Sequence, residues 1–288
     1  MGHKLNKSIA ASEIASWLGI EIQGEDFLVE GVSSLSDFAD GDLCFAKAVP
    51  TQIIKDKVVL IASRDAVGFS RCLLIADNPR LVFAKILNHL KNRIGFLESK
   101  CLPNIDSTAI VSPHAYLEAG VEIGPRSIVL PFAFIGRGTR IGSDCIIKSG
   151  AIIGQDGFGF ERDENGRPLR LVHLGNVVIG NHVEIGSLTT ICRGTLKNTT
   201  INDYSKIDDH VHIAHNVQIG VGVMVVACAE ISGGVTLDAG CWIGPNASVI
   251  QQKSIGKNAL VGIGANVLKD VPDGAVVAGN PAKLIRQQ

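Results

Sequence analysis

The chain has 288 residues, and its 27 lysines and arginines nearly balance 28 aspartates and glutamates, giving a formal net charge of -1. Without an excess of positive charge, nothing in the composition predicts binding to nucleic acid or to an anionic membrane. Hydrophobic residues make up 46% of the chain, yet polar residues interrupt every apolar stretch before the roughly 18 residues that a membrane span requires. We therefore expect a globular protein without a membrane span.

The cysteines indicate a reducing environment. There are seven, an odd number, without a CxxC pair, and the N-terminus lacks the apolar stretch of a signal peptide. This pattern predicts reduced thiols in a cytoplasmic protein, most of them buried as small apolar side chains.

The pattern of amphipathic and apolar segments in residues 1–100 predicts a small α/β domain. An amphipathic segment from Ser12 to Leu18 predicts a short helix. Asn78 and Pro79 are typical of a helix start, and apolar side chains then recur on one helical face up to residue 92. Four apolar segments predict strands, at residues 28–32, 42–46, 58–62 and 72–76.

From residue 105 onward an aliphatic residue recurs at every sixth position. There are 24 such positions, in three runs that cover residues 105–153, 179–191 and 201–267. A period of six fits neither a helix nor an amphipathic strand, but it is typical of a parallel β-helix built from hexapeptides. Three hexapeptides form one triangular coil with the aliphatic side chains inside, so the sequence predicts about eight coils.

Two segments interrupt the repeat. Residues 154–172 leave the period entirely, and residues 192–200 contain four extra residues. Insertions in a solenoid become loops on one face, often the binding face, so we expect both near the functional site. The predicted organisation is mainly β: the α/β domain, a β-helix domain over 101–272 with its insertion loop 154–172, and a C-terminal tail over 273–288.

Three motifs accompany the repeat: QDGFGF at 155–160, ICRG at 191–194 and IAHN at 213–216. With them the chain resembles the UDP-3-O-(3-hydroxyacyl)glucosamine N-acyltransferases of lipid A synthesis, among the hexapeptide-repeat acyltransferases, over nearly its whole length. The resemblance implies a left-handed parallel β-helix, a homotrimer, and transfer of a hydroxyacyl group from acyl carrier protein to the amino group of a UDP-linked sugar. It implies no bound cofactor, and residues 1–100 are then expected to bind the nucleotide sugar.

The candidate catalytic residues are His215, Gly233 and Asp208. Amide formation from a thioester requires a base for the amine and a donor for the oxyanion. The resemblance assigns the base to His215, since an imidazole titrates near neutrality. Gly233 lies 18 residues further along, so we expect it directly above His215, with its backbone N–H as the oxyanion donor. Asp208 or Asp209 is expected to accept the second ring N–H of His215, unless both are simply solvated corner residues, and the resemblance favours Asp208.

Four residues are candidates for substrate binding. Phe45 matches a family aromatic that stacks on uracil, but the Asn and Tyr expected just after it are absent, and a core position is the alternative. Phe158 and Phe160 of the first insertion are expected to line an acyl or sugar pocket, or else to pack over the coil. Asn216, from the IAHN motif, is also expected on the substrate side.

The acyl donor stays open between two classes. Lys253 stands where the family has a second histidine, and residues 273–283 resemble the ending of hexapeptide acetyltransferases that use acetyl-CoA. Lys253, Asn280 and Lys283 are therefore candidate donor-binding residues. These features favour a short acyl-CoA and a UDP- or dTDP-linked amino sugar of a surface polysaccharide. The DGFGF and IAHN motifs and the N-terminal domain instead favour acyl carrier protein and the lipid A acceptor.

A non-catalytic or zinc-binding β-helix is the alternative from a different class. His210, His212 and His215 lie within six residues, but no Cys or His pair with zinc spacing accompanies them. We therefore expect no metal ligands, and the sequence favours the acyltransferase.

Overall fold

The computed structural model describes residues 2–98 and 100–287, and the chain divides into two compact units. The first unit comprises residues 1–98 and 159–174, and the second comprises residues 99–158 and 175–288. Most of the first insertion thus groups with the N-terminal unit rather than with the repeat in which it is inserted. The division at residue 100 that we expected from the sequence stays a prediction.

The first unit is built on a six-stranded sheet with two helices. Its elements are β1 (His3–Ala10), α1 (Ala11–Leu18), β2 (Ile22–Gly24), β3 (Leu28–Val32), β4 (Asp42–Phe45), β5 (Ile54–Ala62), a 3-10 turn (Arg64–Ala66), β6 (Ser70–Ile75) and α2 (Pro79–Arg93). The strand order is β1-β3-β4-β5-β6-β2, with β3 to β6 parallel and the two edge strands antiparallel to their neighbours. Both predicted helices and all four predicted strands are confirmed.

The start of α2 forms as the sequence predicted. Asn78 Oδ1 accepts the N–H of Leu81 at 3.1 Å, and Pro79 occupies the first turn, where its missing N–H costs no hydrogen bond. The edge strands β1 and β2 were not predicted. In β1 only Leu5 and Ile9 are buried among polar neighbours, so its apolar pattern is too sparse to indicate a strand.

The first insertion folds back as a hairpin on α2. Its strands, Phe160–Arg162 and Pro168–Arg170, are antiparallel. Two ion pairs join the hairpin to α2, Arg80 with Glu161 at 3.0 Å and Lys85 with Glu164 at 2.5 Å. These contacts explain why residues 159–174 group with the first unit.

The second unit is a parallel β-helix with three faces, which confirms the predicted fold. The first face contains Asn104–Ile105, Glu122–Ile123, Arg140–Ile141, Val177–Ile179, Thr199–Ile201, Gln218–Ile219, Thr236–Leu237 and Ser254–Ile255. The second contains Ile110–Val111, Ile128–Val129, Ile146–Ile147, Glu184–Ile185, Lys206–Ile207, Met224–Val225, Trp242–Ile243, Leu260–Val261, Ala275–Ala278 and the antiparallel Lys283–Gln287. The third contains Tyr116–Leu117, Phe134–Ile135, Ile152–Asp156, Thr190–Arg193, His212–Ile213, Glu230–Ile231, Ser248–Val249 and Asn266–Val267.

The periodic aliphatic residues form one continuous core inside the coils. On the third face Ile153 is in register with Ile191, Ile191 with Ile213, and Ile213 with Ile231, and all four are at most 1% exposed. Burying an Ile side chain is worth about 1.5–3 kcal/mol, so this column is the main source of stability in the unit. These pairs bridge both interruptions, so the inward column stays continuous. Where the first insertion begins, a bulge between Ile153 and Gln155 shifts the pairing, and Gln155 lies opposite Cys192.

Two further expectations from the sequence concern the membrane and the thiols. No helix within residues 2–98 and 100–287 is both long and apolar enough to cross a bilayer. All seven cysteines are free thiols, and four of them, Cys44, Cys72, Cys145 and Cys241, are buried.

Candidate active site

The candidate base lies where the chain turns from the third face to the first. We call the turns at this edge the third corner. The strand His212–Ile213 ends there, so Ala214, His215 and Asn216 leave the coil while Ile213 stays in the core. Asn216 has a φ of 64°, a left-handed conformation that asparagine tolerates better than most residues. The turn therefore presents the His215 side chain at the edge of the prism.

A hydrogen bond to the neighbouring residue fixes the tautomer of His215. Its Nδ1 lies 2.9 Å from Asn216 Oδ1. The Asn216 amide cannot be reversed, because Oδ1 also accepts the N–H of Thr195 at 3.2 Å and Nδ2 donates to the carbonyl of Lys197 at 3.2 Å. Oδ1 can only accept, so Nδ1 of His215 must carry the proton. In the neutral imidazole, Nε2 then carries the lone pair that a general base needs.

The second insertion supplies the groups that hold Asn216. Besides the contacts of Thr195 and Lys197, Thr199 Oγ1 accepts the backbone N–H of Asn216 at 2.9 Å. The prediction that this insertion lies near the site is therefore confirmed. Asn216, which we expected to bind substrate, also contacts the base through Oδ1, and its role in substrate binding stays a prediction. The six-residue period could not indicate the groups that hold Asn216, because the insertion breaks that period.

Gly233 lies directly against the imidazole, as the 18-residue spacing predicted. The N–H of Gly234 donates to the carbonyl of His215 at 2.9 Å, which fixes the stacking of the two corners. A Cβ on residue 233 would lie 2.8 Å from Cε1 and 3.0 Å from Nε2 of His215. Gly233 itself has no left-handed φ, whereas Gly234 has one of 70°. Glycine at 233 is therefore required by the nearby imidazole and not by a turn.

The backbone N–H of Gly233 is also available for a ligand. Within residues 2–98 and 100–287, no backbone carbonyl or side chain accepts its hydrogen. A backbone donor beside Nε2 of a histidine is the arrangement that acyl transfer requires, because one group takes the proton while the other holds the oxyanion.

The first insertion contributes a second glycine on the other side of the ring. A Cβ on Gly157 would lie 3.1 Å from Cδ2 of His215 and 3.3 Å from Cβ of Cys192. The first residues of this insertion, which belong to the second unit, therefore lie beside the candidate base. We had singled out the phenylalanines of its DGFGF motif, yet it is the first glycine of the motif that touches the candidate base.

Asp208 is not the residue that orients His215, and this expectation is wrong. Its Oδ1 accepts the N–H of Asp209 at 2.8 Å and its Oδ2 accepts the N–H of Ala227 at 3.1 Å. Asp208 follows a strand of the second face, so it lies one corner earlier in the coil than His215. A spacing of seven residues changes the corner, and the orienting contact belongs to Asn216.

The three candidate phenylalanines lie in different surroundings. Phe158 follows Gly157 directly and is 89% exposed. Phe160 belongs to the first unit, where the Arg170 guanidinium lies 4.7 Å from the centre of its ring. Phe45 also belongs to the first unit, where its ring lies 4.7 Å from that of Phe83. Their roles in substrate binding stay predictions.

The candidate donor-binding residues are spread over the C-terminal coils. Lys253 is part of the third corner, and its backbone carbonyl accepts the N–H of Thr236 at 2.9 Å. Asn280 Oδ1 accepts a hydrogen bond from Asn266 Nδ2 at 3.3 Å, and Lys283 is exposed at the start of the last strand. The structure leaves these three roles as predictions.

The three neighbouring histidines point away from one another. His210 lies in the corner before the third face, His212 points outward from that face with Nδ1 2.6 Å from Thr190 Oγ1, and His215 lies in the next corner. In the part of the chain that the structure describes, no group of three or more His, Cys, Asp or Glu side chains is arranged to hold a metal ion.

Two partly buried residues of the ICRG motif lie beside the site. Burial raises the pKa of the Cys192 thiol to about 11, with a further contribution from the Asp156 carboxylate. Burial also lowers the pKa of the Arg193 guanidinium. Arg193 donates from Nε to the carbonyl of Gly175 at 2.7 Å and from Nη2 to Asn176 Oδ1 at 2.7 Å. It thus joins the start of the second insertion to residues 175–176, which follow the first insertion.

Comparison with known proteins gives consistent results. The chain is 34% identical over 302 residues to a UDP-3-O-acylglucosamine N-acyltransferase of Campylobacter lari, covering 95% of this chain and 93% of that one. It is 35% identical over 292 residues to a protein of the same name from Campylobacter concisus, covering 93% and 92%. A solved UDP-N-acetylglucosamine acyltransferase from Campylobacter jejuni aligns with a TM-score of 0.56 and 22% identity, over 65% of this chain and 73% of that one, which shows the fold alone. No family model matches.

Proposed function

Because the chain belongs to the UDP-3-O-acylglucosamine N-acyltransferase family, we propose that it transfers an acyl group from a thioester to the amino group of a UDP-linked, 3-O-acylated glucosamine. This is the lipid A reaction that the resemblance implied. The observation that carries the proposal is the pairing of His215 with Gly233. A histidine with a fixed tautomer faces a glycine whose N–H is not engaged by the described residues.

The reaction can be written with these two residues. The amine nitrogen attacks the thioester carbon, and Nε2 of His215 takes the proton that the nitrogen loses. The N–H of Gly233 stabilises the negative charge that forms on the carbonyl oxygen. When the carbon–sulfur bond breaks, the imidazolium returns the proton to the leaving thiolate. The products are an amide and a free thiol, and no step requires a metal or a redox cofactor.

Asn216 contributes by positioning the base. By accepting the Nδ1 hydrogen, its side chain keeps Nε2 unprotonated and holds the ring plane toward Gly233. The same contact stabilises the imidazolium that forms during the reaction, since the amide oxygen of Asn216 faces the charged ring. This is the role that a carboxylate has in a catalytic triad, here given to a neutral side chain.

We propose 3-hydroxyacyl carrier protein as the donor, as the resemblance implies. A short acyl-CoA is the second candidate. The C-terminal segment supports it, because residues 273–283 resemble the ending of acetyltransferases that use acetyl-CoA. Asn280 and the exposed Lys283, the candidate contacts to the donor, lie close together along this segment.

The enzyme is expected to act as a cytoplasmic homotrimer. Outward apolar side chains on the second face, including those of Ile110, Met224 and Trp242, offer a surface that another copy can cover.

The test is thiol release by the purified protein from hydroxyacyl carrier protein and from acyl-CoA, with UDP-3-O-acylglucosamine and with other UDP- and dTDP-linked amino sugars. We expect turnover with UDP-3-O-acylglucosamine, and we expect His215→Ala to lower kcat by about 10²–10⁴-fold. His210→Ala is the matched control, since His210 lies in a different corner. A folded His215→Ala variant that loses less than about tenfold refutes the assignment of the base.

A further inference from the structure

A single hydroxyl interrupts an apolar column beside the candidate active site. The column consists of the residues that follow the inward aliphatic residue on the third face, from Ile191 onward. In successive coils these are Cys192, Ala214, Ser232, Ile250 and Leu268. Ile250 and Leu268 are 37% and 45% exposed, so apolar surface continues along the coils beyond Ser232.

Ser232 is paired with a carboxylate on the same face. Its Oγ lies 3.0 Å from Oε1 and 3.1 Å from Oε2 of Glu230, so the hydroxyl donates to the carboxylate. Glu230 points outward from the strand Glu230–Ile231 and is half-buried. A carboxylate has about four acceptor positions, and the Ser232 hydrogen bond leaves room for a second donor.

This pair lies next to the proposed oxyanion donor, because Ser232 immediately precedes Gly233. In a 3-hydroxyacyl thioester, the hydroxyl stands on the second carbon beyond the carbonyl carbon. When the carbonyl oxygen accepts the Gly233 N–H, this hydroxyl falls near Ser232 and Glu230. The rest of the chain can then follow the exposed surface of Ile250 and Leu268.

We propose that Ser232 and Glu230 select donors whose acyl chain carries a hydroxyl on the third carbon, an inference that rests on the proposed function. The donor hydroxyl gives its hydrogen to Glu230, while Ser232 keeps its own hydrogen bond to the same carboxylate and holds it in place. An unsubstituted chain leaves the carboxylate without that donor in a site from which the chain excludes water. Sites built to bind a hydroxyl reject analogues that lack it for this reason.

The acceptor amine is the other group that could contact Glu230, and the chemistry disfavours it. A carboxylate beside the amine stabilises the ammonium form, whose nitrogen has no lone pair with which to attack. A hydroxyl, by contrast, stays neutral throughout the reaction and supplies the second donor that the Glu230 carboxylate can accept.

The test compares kcat/KM for matched 3-hydroxyacyl and unsubstituted acyl carrier proteins of several chain lengths, with UDP-3-O-acylglucosamine as acceptor. At the best chain length, we expect the wild type to prefer the hydroxyacyl donor by about tenfold or more, because a hydrogen bond to a charged group is involved. Ser232→Ala and Glu230→Gln are expected to reduce this preference about tenfold, by slowing the hydroxyacyl reaction alone. Ser254→Ala, on the first face, is the control and should keep the preference.

Each outcome has a distinct meaning. A preference that survives in both variants overturns the proposal, as does a wild type that uses the two donors equally well. A wild type that releases no thiol from either donor overturns the proposed function and this proposal with it. Melting temperatures identify any variant that fails to fold, and Ser232→Ala, which removes a single oxygen from a partly exposed side chain, keeps the test possible if Glu230→Gln does not fold.

Discussion

The imidazole of His215 fills the space that a side chain on residue 233 would need. The nearest ring atom, Cε1, is 2.8 Å from the position of that Cβ, closer than a carbon–carbon contact allows. Position 233 must therefore be glycine if the base is to keep its place. Its neighbour, Gly234, is a glycine for a different reason, its left-handed φ of 70°.

We expect Gly233→Ala to lower kcat by about 100-fold, because the added methyl group displaces the imidazole and a misplacement of about 1 Å at a reacting group costs that much. The substitution keeps the backbone N–H, so any loss is due to the position of the base. Steady-state kinetics measure the effect.

Gly234→Ala is the matched control for Gly233→Ala. It places a side chain in a left-handed conformation, which costs roughly 1 kcal/mol of stability. We expect a lower melting temperature with most of the activity retained. Equal losses of activity in the two variants would contradict the distinction between the two glycines.

The tautomer argument predicts that Asn216→Ala lowers kcat by at least about 100-fold with little change in KM, because Nδ1 loses its acceptor and Nε2 is no longer held as the free base. Asn202→Ala is the control, since Asn202 donates to the carbonyl of Ile219 in a different corner. If Asn216→Ala kept nearly full kcat, the contact of Asn216 Oδ1 with His215 Nδ1 would not be needed for catalysis.

Cys192 is expected to react slowly with iodoacetamide although it lies beside the site. Its pKa of about 11 means that the reactive thiolate becomes abundant only above that pH. At pH 8 its alkylation should be about 100-fold slower than that of the exposed Cys228. Mass spectrometry of peptides after timed labelling gives the two rates, and comparable rates would contradict the effect of burial.

Two adjacent isoleucines test the importance of the aliphatic core. Ile147 is 0% exposed and Ile146, next to it in the same strand, is 37% exposed. We expect Ile147→Ala to cost about 2–5 kcal/mol of unfolding free energy and Ile146→Ala about 1 kcal/mol or less. Denaturant titration of both variants measures the difference, and a larger loss in Ile146→Ala than in Ile147→Ala would contradict the inward and outward assignments.

The sequence predicted the β-helix well because one rule governs every coil. An inward aliphatic residue at each sixth position is enough to specify the core and, through the 18-residue stacking, the approach of Gly233 to His215. The contacts of the two insertions could not be predicted in this way, because their own hydrogen bonds and not the six-residue period determine their conformation. Asn216 takes the place that we expected for Asp208, because the irregular segment 192–200 binds its amide and the neighbouring corner engages the carboxylate.

The hairpin of the first insertion shows a second limit. Its strands pair with each other and its acidic side chains pair with α2, more than 70 residues earlier in the chain. A periodic pattern carries no information on such a contact. Gly157, whose added Cβ would lie 3.1 Å from Cδ2 of His215, comes just before this hairpin, and no periodic pattern singled it out.

The register of the coils also determines where compensating substitutions should arise during evolution. A residue on the third face has its neighbours 18 positions away in regular coils, as Ile213 and Ile231 show, but 22 positions away across the second interruption and 38 across the first. Changes in side-chain volume at one position should therefore be accompanied by opposite changes at these three spacings in related sequences. Pairs of positions that vary together in related sequences should then be separated by 18, 22 or 38 residues.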